Sequence, residues 1–305
     1  MYTVAITPIL VGSLAAHAET GFLSLRTLCH FLLSAVLIIA WLNITNDVFD
    51  YDAGIDGNKP ESIVNLCGAT RTARNTLFLI ANVILAAGFA CLAKLSKTGG
   101  QFDPTVPALI SVAVAGGYVY QGPPFRLSHY GLGEPICFVT WTISLSARMR
   151  YVLQELLFSS HHYLLAAAFL VATPTALILL CSHFHQLDDD KLAGKRSPIV
   201  RLGTLRASIL LEAALFAFMS AHSVFYGMGM LPVRPFFLSL LAIPSGVKLG
   251  AFVRKNHQTP HAVRPAKYHA VRFHFVHGIL ISIGFWLTTP AAPKRIKQCY
   301  QHFLV

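Results

Sequence analysis

Charge is what this 305-residue chain has least of. Asp, Glu, Lys and Arg make up 12% of it and only 13 residues are acidic, against roughly a quarter charged in soluble domains. With 54% hydrophobic residues and a mean hydropathy of +0.57, a soluble globular domain is excluded and a multispanning membrane protein remains. Close cysteine pairs are missing too. Cys29, Cys67, Cys91, Cys137, Cys181 and Cys299 stand far apart, which excludes a zinc or dithiol motif and leaves free thiols, mostly buried. The 14 histidines include His161-His162 and the pair His183 and His185, but none has a partner set at transition-metal spacing. Low-complexity tracts and soluble insertions are lacking. So is a basic or serine-rich leader before the apolar run Thr3 to Ala16, and the expectation is that none is needed or that the chain begins after one.

What is present is a succession of apolar segments, at about 3–18, 28–46, 76–95, 105–121, 134–153, 162–183, 207–231, 234–253 and 271–290. At about 20 residues per span plus a connection, they predict an all-α membrane bundle of about nine helices, with residues 1–305 as one domain. The first segment is short, which predicts that the intact helix starts further upstream. Arg148 and Arg150 fall in the fifth, and because a charge at the bilayer centre costs at least ~2.5 kcal/mol they are placed at the interface. The net charge of +11 does not imply nucleic acid, since the basic residues sit in connections and form no stripe with interleaved aromatics. With the N-terminus on the cytoplasmic or stromal side, 15 of the 24 lysines and arginines lie on that side, which favours this orientation.

The scarce acids are concentrated. Four fall within Asn46-Asp47-Val48-Phe49-Asp50-Tyr51-Asp52-Ala53-Gly54-Ile55-Asp56, directly after an apolar run. On a helix continuing through this stretch, Asn46 and Asp50 share a face and Asp47 flanks them, while Gly54 allows a break that returns Asp56 toward the same point. Hard oxygen ligands at this spacing suit Mg²⁺. A second run, Asp188-Asp189-Asp190, follows His183-Phe184-His185-Gln186 and precedes Lys195, Arg196 and Arg201. Each loop alone could be a wetted loop with capping aspartates. Two on one membrane face with cations beside them make a diphosphate site, in which carboxylates hold Mg²⁺ and Lys or Arg absorbs the remaining charge.

Here the chain resembles the UbiA-type intramembrane prenyltransferases, whose signature is Asn-Asp-x-x-Asp after the second helix and an Asp-rich run after the sixth. It is most similar to their 1,4-dihydroxy-2-naphthoate branch, the phytyltransferases of plant and cyanobacterial phylloquinone synthesis. The match is carried by Asn46 to Asp52, Cys181 to Gln186 and Gly194 to Gly203. It is also carried by Tyr120-Gln121-Gly122-Pro123-Pro124-Phe125-Arg126-Leu127, Gly131-Leu132-Gly133-Glu134-Pro135, and Val271-Arg272 with His274. The usual first aspartate of the second pair is absent, with His185-Gln186 in its region; Asp190 matches the second, and Asp188 or Asp189 could substitute. The stretch Trp141 to Ser160 departs from the branch.

The resemblance implies Mg²⁺ held by Asn46, Asp47, Asp50, Asp56 and Asp190, and a prenyl diphosphate, phytyl diphosphate foremost, with Lys195 and Arg201 as charge partners. Ionisation of the allylic C–O bond would give a carbocation that the aromatic ring attacks, and aromatic faces such as Tyr120, Tyr118 or Phe125 could stabilise it. Most aromatics in such a chain are packing, and Gly122-Pro123-Pro124 is in any case a turn that stops a helix. His183, His185 and Arg126 are assigned to substrate, and Arg272 with His274 to the acceptor carboxylate. The implied reaction is transfer to 1,4-dihydroxy-2-naphthoate with decarboxylation, in a plastid or cyanobacterial membrane. Homogentisate phytyl or solanesyl transfer is the alternative. An ion-coupled transporter would instead place its charges facing one another at mid-membrane.

Overall fold

The computed structural model describes residues 3–21, 23–54, 62–95, 97–98, 101–102, 104–153 and 162–290. Asp56, His161 and part of the Trp141 to Ser160 stretch lie outside these, as do the side chains of Arg148 and Arg150. The long helices are α1 (Thr3–Thr20), α2 (Leu25–Asp52), α4 (Arg71–Leu95), α5 (Thr105–Gln121), α6 (Gly133–Leu153), α7 (His162–His183) and α9 (Pro198–Gly227). The pair α10 (Val233–Leu240) and α11 (Ile243–Asn256) follows, and α13 (Ala266–Leu287) ends the described chain. Short α3 (Ile63–Leu66), α8 (Leu187–Leu192) and α12 (Pro260–Val263) lie in connections, as does an antiparallel hairpin of β1 (Lys97–Thr98) and β2 (Gln101–Phe102). Every apolar segment read from the sequence thus falls on helix. Among the described residues six helical stretches are long and apolar enough to cross a membrane, with Thr105–Gln121 a shorter apolar one.

Local chemistry sets the ends that matter. Ser24 caps α2, its Oγ accepting from Thr27 N at 3.2 Å. Nothing then interrupts the helix until Ala53 and Gly54, the latter at φ +70°, so Asn46 to Asp52 form the last two turns of α2. Two consecutive prolines after Gly122 supply no N–H to extend α5. The segment read as 207–231 begins earlier: α9 starts at Pro198 and breaks at Gly203 (φ 75°, ψ 161°).

Apolar packing gathers the helices. Phe218, Phe273, Phe285 and Leu211 lie in the largest buried cluster, joining α9 to α13. Ser34 Oγ donates to Gly88 O at 2.8 Å where α2 meets α4. The outside is apolar as well: Phe216 is 75% exposed, Leu79 67% and Trp286 59%. Side chains of that size at that exposure belong in lipid rather than water. Long helices lead the chain up and down, so that the connections after α2, α5, α7 and α11 meet on one face. At that face His257 Nδ1 lies 3.0 Å from Thr204 Oγ1, tying the end of α11 to α9.

Candidate active site

The last two turns of α2 are held from three sides. Asp50 Oδ1 accepts from Gln121 Nε2 at the end of α5. Asp47 Oδ2 accepts from Ile63 N at 2.9 Å. Asp52, which the sequence reading left out of the site, receives Arg74 Nε at 3.0 Å and belongs to an ion pair closing α2 onto α4. Asn46 Oδ1 is buried with no hydrogen-bond partner.

In the second run the structure distinguishes the three aspartates. Asp188 and Asp189 are exposed, and Asp188 faces Lys191 at 4.0 Å. Asp190 is 2% exposed, with Lys195 Nζ 3.7 Å from Oδ1 and Oδ2 buried without a partner. Burial raises the Asp190 carboxyl above its usual range, and Lys195 opposes the rise. Gly194 at φ +68° turns the chain so that Lys195 N donates to Asp190 O at 2.8 Å, which sets the lysine beside the acid.

The connection between α5 and α6 bridges the two runs. Arg196 N donates to His129 O at 2.8 Å, and Arg201 Nη2 to Tyr130 O at 2.5 Å. Gly131 makes this approach possible: its φ is +72°, and a Cβ there would run into the Arg196 carbonyl. Burial first, then Lys195 and Arg126, hold the His129 imidazole below its ordinary range, so the predicted Lys195 and Arg126 both bring positive charge to this point. Tyr120 lies within electrostatic reach of Glu134, Asp50 and Asp190, and its ring packs against Gly133. His183 is buried with Nδ1 3.6 Å from Glu134 Oε1, and His185 is half-buried two residues on.

Three predicted residues sit apart from this constellation. Arg272 is exposed on α13. Tyr118 donates its hydroxyl to Pro123 O at 2.8 Å and meets Phe49 edge-on at 5.7 Å, a packing role. Phe125 is 54% exposed. Two residues quoted only as parts of a motif, Gln121 and Glu134, sit at the centre; their polarity at the ends of apolar helices was the available signal.

An apolar cavity of ≈ 90 Å³ lies deeper in the bundle, lined among others by Ile38, Trp41 and Leu42 of α2, Gly117 of α5, and Thr140 and Trp141 of α6, Leu42 standing one turn before Asn46. Among the described residues no three His, Cys, Asp or Glu side chains are gathered tightly enough to hold a metal ion by themselves. The orphaned oxygens of Asn46 and Asp190 nevertheless fit a hard cation shared with an anionic ligand.

Comparison with known proteins agrees with this architecture. The family model described as "UbiA prenyltransferase family" matches residues 5–289. A 2-carboxy-1,4-naphthoquinone phytyltransferase of Synechocystis sp. is 43% identical over 285 residues, 93% of this chain and 90% of that protein. The chloroplastic 2-carboxy-1,4-naphthoquinone phytyltransferase of Arabidopsis thaliana is 38% identical over 294 residues, 93% of this chain and 74% of that protein. Among solved structures, a UbiA homolog from Archaeoglobus fulgidus bound to GPP and Mg²⁺ shares the fold, with a TM-score of 0.60 at 18% identity, covering 92% of this chain and 96% of that one.

Proposed function

This chain belongs to the UbiA prenyltransferase family and is a membrane prenyltransferase; from that premise we propose that it transfers a phytyl or similar polyprenyl group from its diphosphate to 1,4-dihydroxy-2-naphthoate, releasing the ring carboxylate as CO₂. One observation carries the reading: Asp50 of α2, Tyr120 of α5 and the neighbouring pair Asp190 and Lys195 are brought together from three chain-distant segments, with an apolar cavity lying deeper between the helices. A molecule with a polyanionic head and a long apolar tail matches both halves of that arrangement. The naphthoquinone acceptors in the names of the two relatives support the choice of ring. Carbocation chemistry requires an electron-rich ring, which is why the quinol form is proposed as the reacting species.

Asn46, Asp47, Asp50 and Asp190 would hold Mg²⁺, as would Asp56, which lies outside the described residues. Mg²⁺ bound there would neutralise diphosphate oxygens and make diphosphate a better leaving group. Lys195 and Arg126 bring positive charge to the same head group, and Arg201, through Tyr130, holds the connection that carries Arg126. The aromatic face of Tyr120 would stabilise the allylic cation. The apolar walls below keep water from that cation, so that the ring captures it. His183 and His185 would contact the acceptor. The work is done in a plastid or cyanobacterial membrane, the setting of the two relatives.

The test is a membrane assay with Mg²⁺, dihydroxynaphthoate, and phytyl or geranylgeranyl diphosphate in parallel. Prenylated naphthoquinol is expected, with Asp50→Ala and Asp190→Ala each losing at least about 100-fold of the rate while still inserting in the membrane. Full activity in both variants would remove the metal-site assignment. Prenylation of homogentisate in place of dihydroxynaphthoate would remove the acceptor.

A further inference from the structure

Among the described residues of this constellation, Glu134 is a buried carboxylate that receives no hydrogen bond from another residue. Asp50 is bonded to Gln121, Asp52 to Arg74, and Asp190 faces Lys195. Apart from the backbone amide of Glu134 itself, neither of its carboxylate oxygens has a hydrogen-bonding neighbour, and both are buried. The His183 ring nitrogen 3.6 Å away is likewise without a hydrogen bond. A buried, unpaired carboxylate is expensive, of order several kcal/mol, unless a bound molecule donates to it.

The surroundings say what that molecule is. Tyr120 lies within electrostatic reach of Glu134, its ring packed against the neighbouring Gly133. Trp141, seven residues and so two turns further along the same face of α6, lines the apolar cavity. A flat aromatic ring with its apolar body toward that cavity would turn its polar edge toward Glu134. A carboxylate facing that edge would repel the ring carboxylate and accept from a ring hydroxyl.

Resting on the reading of dihydroxynaphthoate as acceptor, we propose that Glu134 takes the proton of the ring hydroxyl next to the attacked carbon and later returns it, with His183 as the positioning residue. The new C–C bond forms between the carboxylate-bearing ring carbon and C1 of the prenyl group. The prenyl C–O bond breaks and its electron pair leaves with diphosphate. In the same phase the hydroxyl O–H bond breaks and the proton passes to Glu134, leaving a β-keto carboxylate. Its C–CO₂ bond then breaks; the electron pair flows to the ring oxygen, which recovers the proton from Glu134. The products are CO₂, diphosphate and the prenylated quinol, with no oxidant or reductant consumed.

The experiment compares wild type, Glu134→Gln and His183→Asn in membranes, measuring kcat, KM for each substrate, the pH–rate profile and equilibrium binding of labelled prenyl diphosphate. Glu134→Gln is expected to lower kcat about 100-fold or more and to lose the acid limb of the profile, while donor binding is unchanged. With 1-methoxy-4-hydroxy-2-naphthoate, which has no proton to give at that oxygen, wild type and Glu134→Gln should be equally slow. His183→Asn should shift the acid limb while retaining donor binding. A Glu134→Gln rate within about threefold of wild type, or a loss that follows donor binding in step, overturns the proposal. Should Glu134→Gln fail to accumulate, an unaltered pH profile in His183→Asn overturns it. A wild-type enzyme that binds the donor yet never prenylates dihydroxynaphthoate overturns the underlying reading and this inference with it.

Discussion

At the scale of single residues, the site is a matter of which polar atoms are already satisfied and which are not. Gln121 is 7% exposed and spends its amide on Asp50, so it presets one carboxylate before any ligand arrives. A hydrogen bond to a charged group contributes about 1.5–3 kcal/mol. Gln121→Leu should therefore raise the Mg²⁺ concentration needed for half-maximal activity by roughly tenfold to a hundredfold, read from a Mg²⁺ titration of the membrane assay. An unchanged titration would show that the Asp50 position does not depend on this bond. The Arg74 and Asp52 pair next to it is a different case. Its side chains are 23% and 34% exposed, so solvent screens it, and Arg74→Ala should cost less than about 1 kcal/mol of stability. A thermal melt in detergent checks this, and a large fall in midpoint would mean the pair is structurally essential.

Among the elements, the connection between α5 and α6 decides whether the two acidic runs act together. Its backbone carbonyls at His129 and Tyr130 receive Arg196 N and Arg201 Nη2, and Gly131 is the position where the chains touch. Gly131→Ala should cost about 1–2 kcal/mol from the left-handed backbone alone, with the clash against Arg196 in addition. The outcome expected is an enzyme that inserts normally but shows an increased KM for prenyl diphosphate, because the segment carrying Lys195 is pushed away from the first run. Wild-type KM values would mean that the connection does not set the spacing. The length of α2 belongs to this scale also. At 28 residues and 1.5 Å per residue it is about 42 Å long, longer than the roughly 30 Å hydrocarbon core, so its last two turns can carry Asn46, Asp47 and Asp50 at the membrane surface without losing helical hydrogen bonds.

For the whole molecule the consequence is sidedness. All four connections tied together here lie on one face, and the excess of lysine and arginine predicts that this face is turned to the cytoplasm or stroma. Cys67 is exposed in the connection after α2. In a variant with the other cysteines replaced by serine, a membrane-impermeant maleimide should modify Cys67 from that side and not from the other. Labelling from the opposite side would invert the orientation, and with it the side from which prenyl diphosphate enters.

Much of this was decided along the chain. Poverty in charge dictates a membrane solvent, runs of about 20 apolar residues dictate helices, and acids too costly to keep in lipid must gather at helix ends; the two acidic runs were legible on those grounds, while the choice of Asp190 within the second came from the family resemblance. Tertiary packing decided the rest, because proximity across distant segments leaves no local trace in composition. It buried Asp190 while leaving Asp188 and Asp189 in solvent, set Gln121 on Asp50, and brought His183 to Glu134. It also left Arg272 exposed on α13, although its motif had suggested a place beside the acceptor. A motif specifies which side chains are supplied, and only the packed bundle determines which of them share a dry space, where unpaired charge is costly enough to require a partner.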